Sequence, residues 1–65
     1  MNYSSAKNLV IALIDESEST GEISNLHVSG PDDPAIRILS LMSRGDARAR
    51  GMYWGKNWRV RVVLP

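Results

Sequence analysis

Pro34-Ala35-Ile36-Arg37-Ile38-Leu39-Ser40-Leu41-Met42-Ser43-Arg44-Gly45 carries both the start and the stop signals of a helix. Asp33 (or Asp32) just ahead of it is a capping carboxylate, and Pro34 suits the first helical position because its missing N–H would be unpaired there anyway. Gly45, after Arg44, is a natural left-handed terminator. Ala35, Ile38, Leu39 and Met42 recur at helical spacing as an inward face, with Ile36 and Leu41 flanking it. Arg37, Ser40 and Arg44, spaced by three and four, line an outward stripe. The spacing predicts a helix over 34–44, apolar on one side and basic on the other.

Upstream, Ala6, Leu9, Val10, Leu13 and Ile14 repeat the same periodicity and predict a first helix over about 5–17. Ser4 or Ser5 can cap it. Asp15, Glu16 and Glu18 fall at its C-terminal end, where the helix dipole disfavours negative charge, so an arginine of the second half is the expected compensation. Ser19-Thr20-Gly21-Glu22 fits the capping-box pattern and predicts a short helix over about 20–28, with Ile23 and Leu26 sharing a face. A strand is the other reading of this segment, since Leu26 and Val28 alternate, although Ile23 falls out of phase.

Downstream, about 48–54 and 58–64 read as a β-hairpin around Gly55-Lys56-Asn57. A three-residue loop pairs Trp54 with Trp58, Met52 with Val60 and Arg50 with Val62, leaving Tyr53, Arg59 and Arg61 outside. A two-residue loop instead pairs Tyr53 with Trp58, and both registers stay open.

The totals bound what such a chain can be. Sixty-five residues, spanning 1–65, make one domain near the lower size for unassisted folding. Without cysteine there is no disulfide and no thiolate metal site. No apolar run approaches the ~20 residues that span a bilayer. Leu9–Ile14 follows a single lysine and precedes no small-residue cleavage site, so it does not read as a signal peptide. The expected location is cytoplasmic. Net charge is +1, but residues 1–33 carry −5 and residues 34–65 carry +6. A basic half points to an anionic partner, nucleic acid above all, or to neutralisation by the acidic half within the fold or across a dimer.

Helix, short helix, turn, helix and hairpin is the order of a winged helix-turn-helix, an α+β fold. Glu22-Ile23-Ser24-Asn25-Leu26-His27-Val28-Ser29 resembles that family's second helix and turn. Ile38, Leu41 and Gly45 resemble the spaced aliphatics and terminal glycine of its recognition helix, and Trp58-Arg59-Val60-Arg61-Val62-Val63-Leu64 is similar to its second wing strand. The likeness covers roughly residues 5–64. The chain departs from the pattern in having His27 at the turn glycine, Asp32 and Asp33 before the recognition helix, and Asp46 at an aliphatic position. The resemblance implies a small DNA-binding regulator of transcription or recombination, of phage or plasmid type, acting as a dimer on double-stranded DNA.

In that reading Arg37, Ser40 and Arg44 reach bases or phosphates from the helix. Arg48, Arg50, Lys56, Arg59 and Arg61 place charge along the wing. A second reading is a protein-interaction module of the same fold that binds or inhibits a partner through the wing, with Tyr53, Trp54 and Trp58 as contacts. Aromatic residues interleaved with arginines can also stack unpaired bases, whereas tryptophans beside a hairpin turn more often close a small core. An enzyme is not expected, because no nucleophile–base pair or ligand cluster stands out. No cofactor or metal is expected either: His27 is the only histidine and has no carboxylate at i+4. Arg44-Gly45-Asp46 spells the tripeptide that integrins bind, and we read it as chance.

Overall fold

Asn2 opens the first element of the computed structural model, which describes residues 2–44 and 51–65. Its side-chain oxygen accepts the Ser5 N–H at 2.8 Å, capping helix α1 over Tyr3–Thr20. The expected caps Ser4 and Ser5 therefore lie inside the first turn. Ala6, Val10 and Ile14 are buried as their spacing requires, Leu9 and Leu13 pack at the margin, and Ile11 is exposed.

The helix runs three residues past its expected end and stops on Gly21, whose φ of 74° is the left-handed conformation. Gly21 N–H returns to the Ser17 carbonyl at 2.9 Å, and the Thr20 hydroxyl donates to the Glu16 carbonyl at 3.0 Å. The Thr20 hydroxyl also accepts the Glu22 N–H at 3.1 Å. The Ser19–Glu22 segment thus ends one helix instead of starting another. The expected helix over 20–28 is corrected accordingly: Ser24–His27 is strand β1. Glycine in the left-handed conformation reverses the chain, and Ser24, Leu26 and Val28 then alternate inward with Asn25 and His27 outward. Ile23, whose phase favoured a helix, sits outside the strand and is 37% exposed.

Helix α2 covers Pro34–Met42. Asp33 caps it as expected, accepting the Ala35 N–H at 3.0 Å on one oxygen and the N–H and hydroxyl of Ser29, both at 3.2 Å, on the other. Backbone donation from Ala35 and Ser29 holds the Asp33 carboxyl below its ordinary value of 3.8. A group whose folded pKa is depressed contributes stability above its unfolded value and loses that contribution as pH falls through the folded one. Asp33→Ala is therefore expected to be less stable than the parent well above pH 3.8, with the gap closing in acid. Thermal melts across that range check this, and a gap independent of pH would contradict it.

Ala35, Ile38 and Leu39 are buried, whereas Met42 is 44% and Leu41 78% exposed. The helix ends two residues before its expected limit. Ser43 turns extended, its N–H bonds the Leu39 carbonyl at 3.0 Å and its hydroxyl the Ser40 carbonyl at 3.1 Å. Gly45, the expected terminator, lies outside the described residues.

Strands β2, Met52–Trp54, and β3, Arg59–Val63, form the hairpin, and its expected arm over 48–50 falls outside the described residues. The register is Met52 with Arg61, Tyr53 with Val60 and Trp54 with Arg59, one residue away from the expected three-residue-loop pairing and two from the two-residue one. Gly55 N–H donates to the Trp58 carbonyl at 3.1 Å to close the turn. A Cβ on Gly55 would stand 2.1 Å from the Trp58 indole nitrogen, so the ring lies directly against this glycine. The shift exchanges the two aromatic neighbours. Tyr53, expected outside, is 6% exposed, and Trp54, expected inside, is 41% exposed.

β3 is the central strand, antiparallel to β2 and parallel to β1, with Ser24 beside Val60 and His27 beside Val63. The described residues thus form a small α+β fold of two helices on a three-stranded mixed sheet. α1 packs on α2, β1 and β3. The core joins Val10 and Ile14, Leu26 and Val28, Ile38 and Leu39, Tyr53 and Val60.

Candidate nucleic-acid interface

Side chains alternate across a strand, so covering one face of the sheet determines what the other displays. Ser24, Leu26, Tyr53, Val60 and Val62 point to the helices. The opposite face therefore carries Asn25, His27, Met52, Trp54, Arg59, Arg61 and Val63. The register arranges them in rows: Trp54 beside Arg59, then Met52 and Asn25 on either side of Arg61, then Val63 beside His27. Ile23 continues the first row just before β1. Asn25, His27, Trp54, Arg59 and Arg61 are exposed, and Met52 and Val63 half-buried. No carboxylate belongs to this face among the described residues.

The β3 end of this face is fastened to α1. The Ser17 hydroxyl, 2% exposed, accepts the Arg59 N–H at 2.7 Å and donates to the Glu22 carbonyl at 2.9 Å. An arginine of the second half does come to the acidic end of α1, but through its backbone amide. On the outer edge of β2, Arg44 N–H donates to the Trp54 carbonyl at 2.7 Å. Arg44 has thus left the helical stripe on which its spacing placed it and stands beside the hairpin. Lys56 is exposed in the hairpin turn, beside a polar crevice that Ser17, Gly21, Trp54 and Arg59 also line.

The sequence-expected DNA contacts therefore separate into two groups. Arg37 and Ser40 border a groove between α2, Tyr3 and the Pro31–Asp33 turn, a groove that Tyr53 also lines from the helix side of the sheet. Lys56, Arg59 and Arg61, with Arg44 at the edge, gather around the hairpin. Arg48 and Arg50 lie outside the described residues. Of the three expected partner contacts, only Trp54 is exposed: Tyr53 belongs to the core, and Trp58 is half-buried against it.

Sequence reasoning passed over Asn25, His27 and Met52 as members of a surface, and Ser17 as its anchor. The alternation of Leu26 and Val28 was the available signal for the first two. Nothing local marks Ser17, whose partner is 42 residues away. Among the described residues there is no grouping of three metal-ligating side chains and no helix long and apolar enough to cross a membrane. The chain matches no protein-family model, no curated protein and no solved structure.

Proposed function

We propose that this chain is a small DNA-binding regulatory protein of winged-helix type, with α2 in the place of the recognition helix and β2–β3 as the wing. The observation that carries the reading is the pair Arg59 and Arg61, both exposed on the open face of the central strand, with Lys56 and Arg44 around the same hairpin. Four cations around one hairpin form a local positive field, which attracts a phosphate backbone even though the whole chain is nearly neutral. With β1 in place of a second helix, α2 lacks the helix that would normally brace it on DNA. The hairpin therefore carries more of the binding than α2 does.

Fluorescence anisotropy on random-sequence duplex DNA at rising salt tests this. Log affinity should fall with log salt at a slope of about −2 to −4, as expected for two to four phosphates contacted. Arg59→Ala and Arg61→Ala should each flatten the slope by about 1, and Arg37→Ala by less. Absence of binding at low salt would sink the proposal.

Trp54 supports a second reading, a module that binds or inhibits a protein partner. An exposed tryptophan beside an exposed arginine combines two residue types enriched at interface hot spots. Such a partner would bind with a shallow salt slope and lose affinity with Trp54→Ala.

A further inference from the structure

We infer that the open face of the sheet takes unpaired nucleotides, so that the nucleic acid held there is single-stranded. The inference rests on the reading that the hairpin binds nucleic acid, and it specifies which form of nucleic acid the hairpin selects.

The argument starts from what the two tryptophans do. Trp58 turns inward against Gly55 and the core, so it is structural. Trp54 is in register with Arg59 on the other side of the sheet and is 41% exposed, although the domain is small and the core has few large side chains to spare. Ile23, Met52 and Val63 share that face and extend its apolar area around the two arginines. A regular duplex turns its phosphates outward and keeps its base faces stacked inside, so an indole ring finds no open base face to stack on. A single strand offers base faces and phosphates together. Bases stack on an aromatic ring whatever their identity, and guanidinium groups pair with the intervening phosphates.

The dimensions agree. Neighbouring strands lie about 4.8 Å apart and residues about 3.3 Å apart along a strand, so the face is roughly 10 Å wide and 13 Å long. A four-stranded sheet with several aromatic side chains stacks about two or three bases, and this smaller face, with Trp54 as its one large aromatic among the described residues, has a platform for one. Arg59 and Arg61 project from the middle strand, between Trp54 and Met52 on one side and Asn25 on the other. Asn25 and His27 at the β1 edge offer polar groups to base edges. The described part of the face holds no carboxylate to repel the strand. The duplex-type contact that Arg37 and Ser40 would make belongs to the groove beside α2, away from this face.

Anisotropy of the full chain with labelled oligothymidine, oligouridine and random duplex DNA at low salt tests the inference, with polyglutamate as a competitor. We expect both single strands to bind at least ~10-fold more tightly than the duplex, with quenching of tryptophan fluorescence. Preference between the two single strands tells DNA from RNA as the ligand. Trp54→Ala should weaken oligothymidine binding by ~10-fold or more and leave duplex binding unchanged, while Trp54→Phe retains most of the affinity. Should Trp54→Ala misfold, the parent's preference and the fluorescence quench decide the matter. Tighter binding to the duplex, or polyglutamate displacing oligothymidine at equal charge, overturns the inference. In the duplex case the proposed function survives. If no nucleic acid binds at all, both fall.

Discussion

Leu26→Ala is expected to lower the unfolding free energy by about 2–5 kcal/mol, the range for truncating a fully buried leucine. Leu26 has no exposed surface and sits beside Val62 on the helix-covered side of the sheet, in the same cluster as Val10 and Leu39. A chain of 65 residues has a total stability of roughly 3–10 kcal/mol, so the substitution removes a large part of it. Urea unfolding followed by circular dichroism reads the change as a lower midpoint at constant slope. The same experiment distinguishes the strand from the helix that the capping-box residues suggest. In a helix over 20–28, Ile23 shares the inward face with Leu26, and Ile23→Ala would be comparably costly. With β1 as a strand, Ile23 is on the open side and its truncation costs much less. Leu41→Ala, at a position 78% exposed, should stay within about 0.5 kcal/mol of the parent. Equal losses at Ile23 and Leu26 would rule the strand out.

The contrast between those two positions shows where local sequence is informative. α1 and α2 were legible because their apolar spacing, and for α2 the Asp33–Pro34 start, are contained within the element. The hairpin was legible as a hairpin for the same reason. Its register was not, because the Gly55-Lys56-Asn57 loop fits more than one pairing, and a shift of one residue exchanges the two faces of a strand. β1 stayed one of two open readings for a longer-range reason: its hydrogen-bonding partner is β3, more than thirty residues downstream, with Ser24 beside Val60. The segment alone offered both a capping box and the alternation of Leu26 with Val28, and the left-handed Gly21 and the pairing with β3 decide for the strand. The candidate site inherits these limits. Its arginines were visible as a charge excess, but their gathering with Trp54, Asn25 and His27 on one uncovered face follows from the register and from α1 covering the other side.

Ser17→Ala tests the fastening of that face to the helices. The Ser17 hydroxyl is the only side-chain group that reaches both the residue after the α1 terminator and the first residue of β3 among the hydrogen bonds of the described residues. Removing it leaves the Arg59 N–H and the Glu22 carbonyl without their partner. A stranded buried polar group costs about 1–3 kcal/mol, and both groups here are only partly buried, so a total near 2 kcal/mol is expected. Ser19→Ala, exposed on the same helix end, should cost far less. The loss has a local signature that a packing defect would lack. The Arg59 amide, bonded at 2.7 Å in the parent, should exchange with solvent faster in the variant, while the amides of α2 lose only the protection that follows from lower global stability. Arg59 begins the strand that carries both outward arginines, so freeing its amide loosens the position of its guanidinium relative to Trp54. Nucleic-acid affinity should therefore fall in Ser17→Ala even at temperatures where the variant is fully folded. An unchanged Arg59 exchange rate alongside unchanged stability would mean that this bond does not fix the strand, and that the face is ordered by sheet pairing alone.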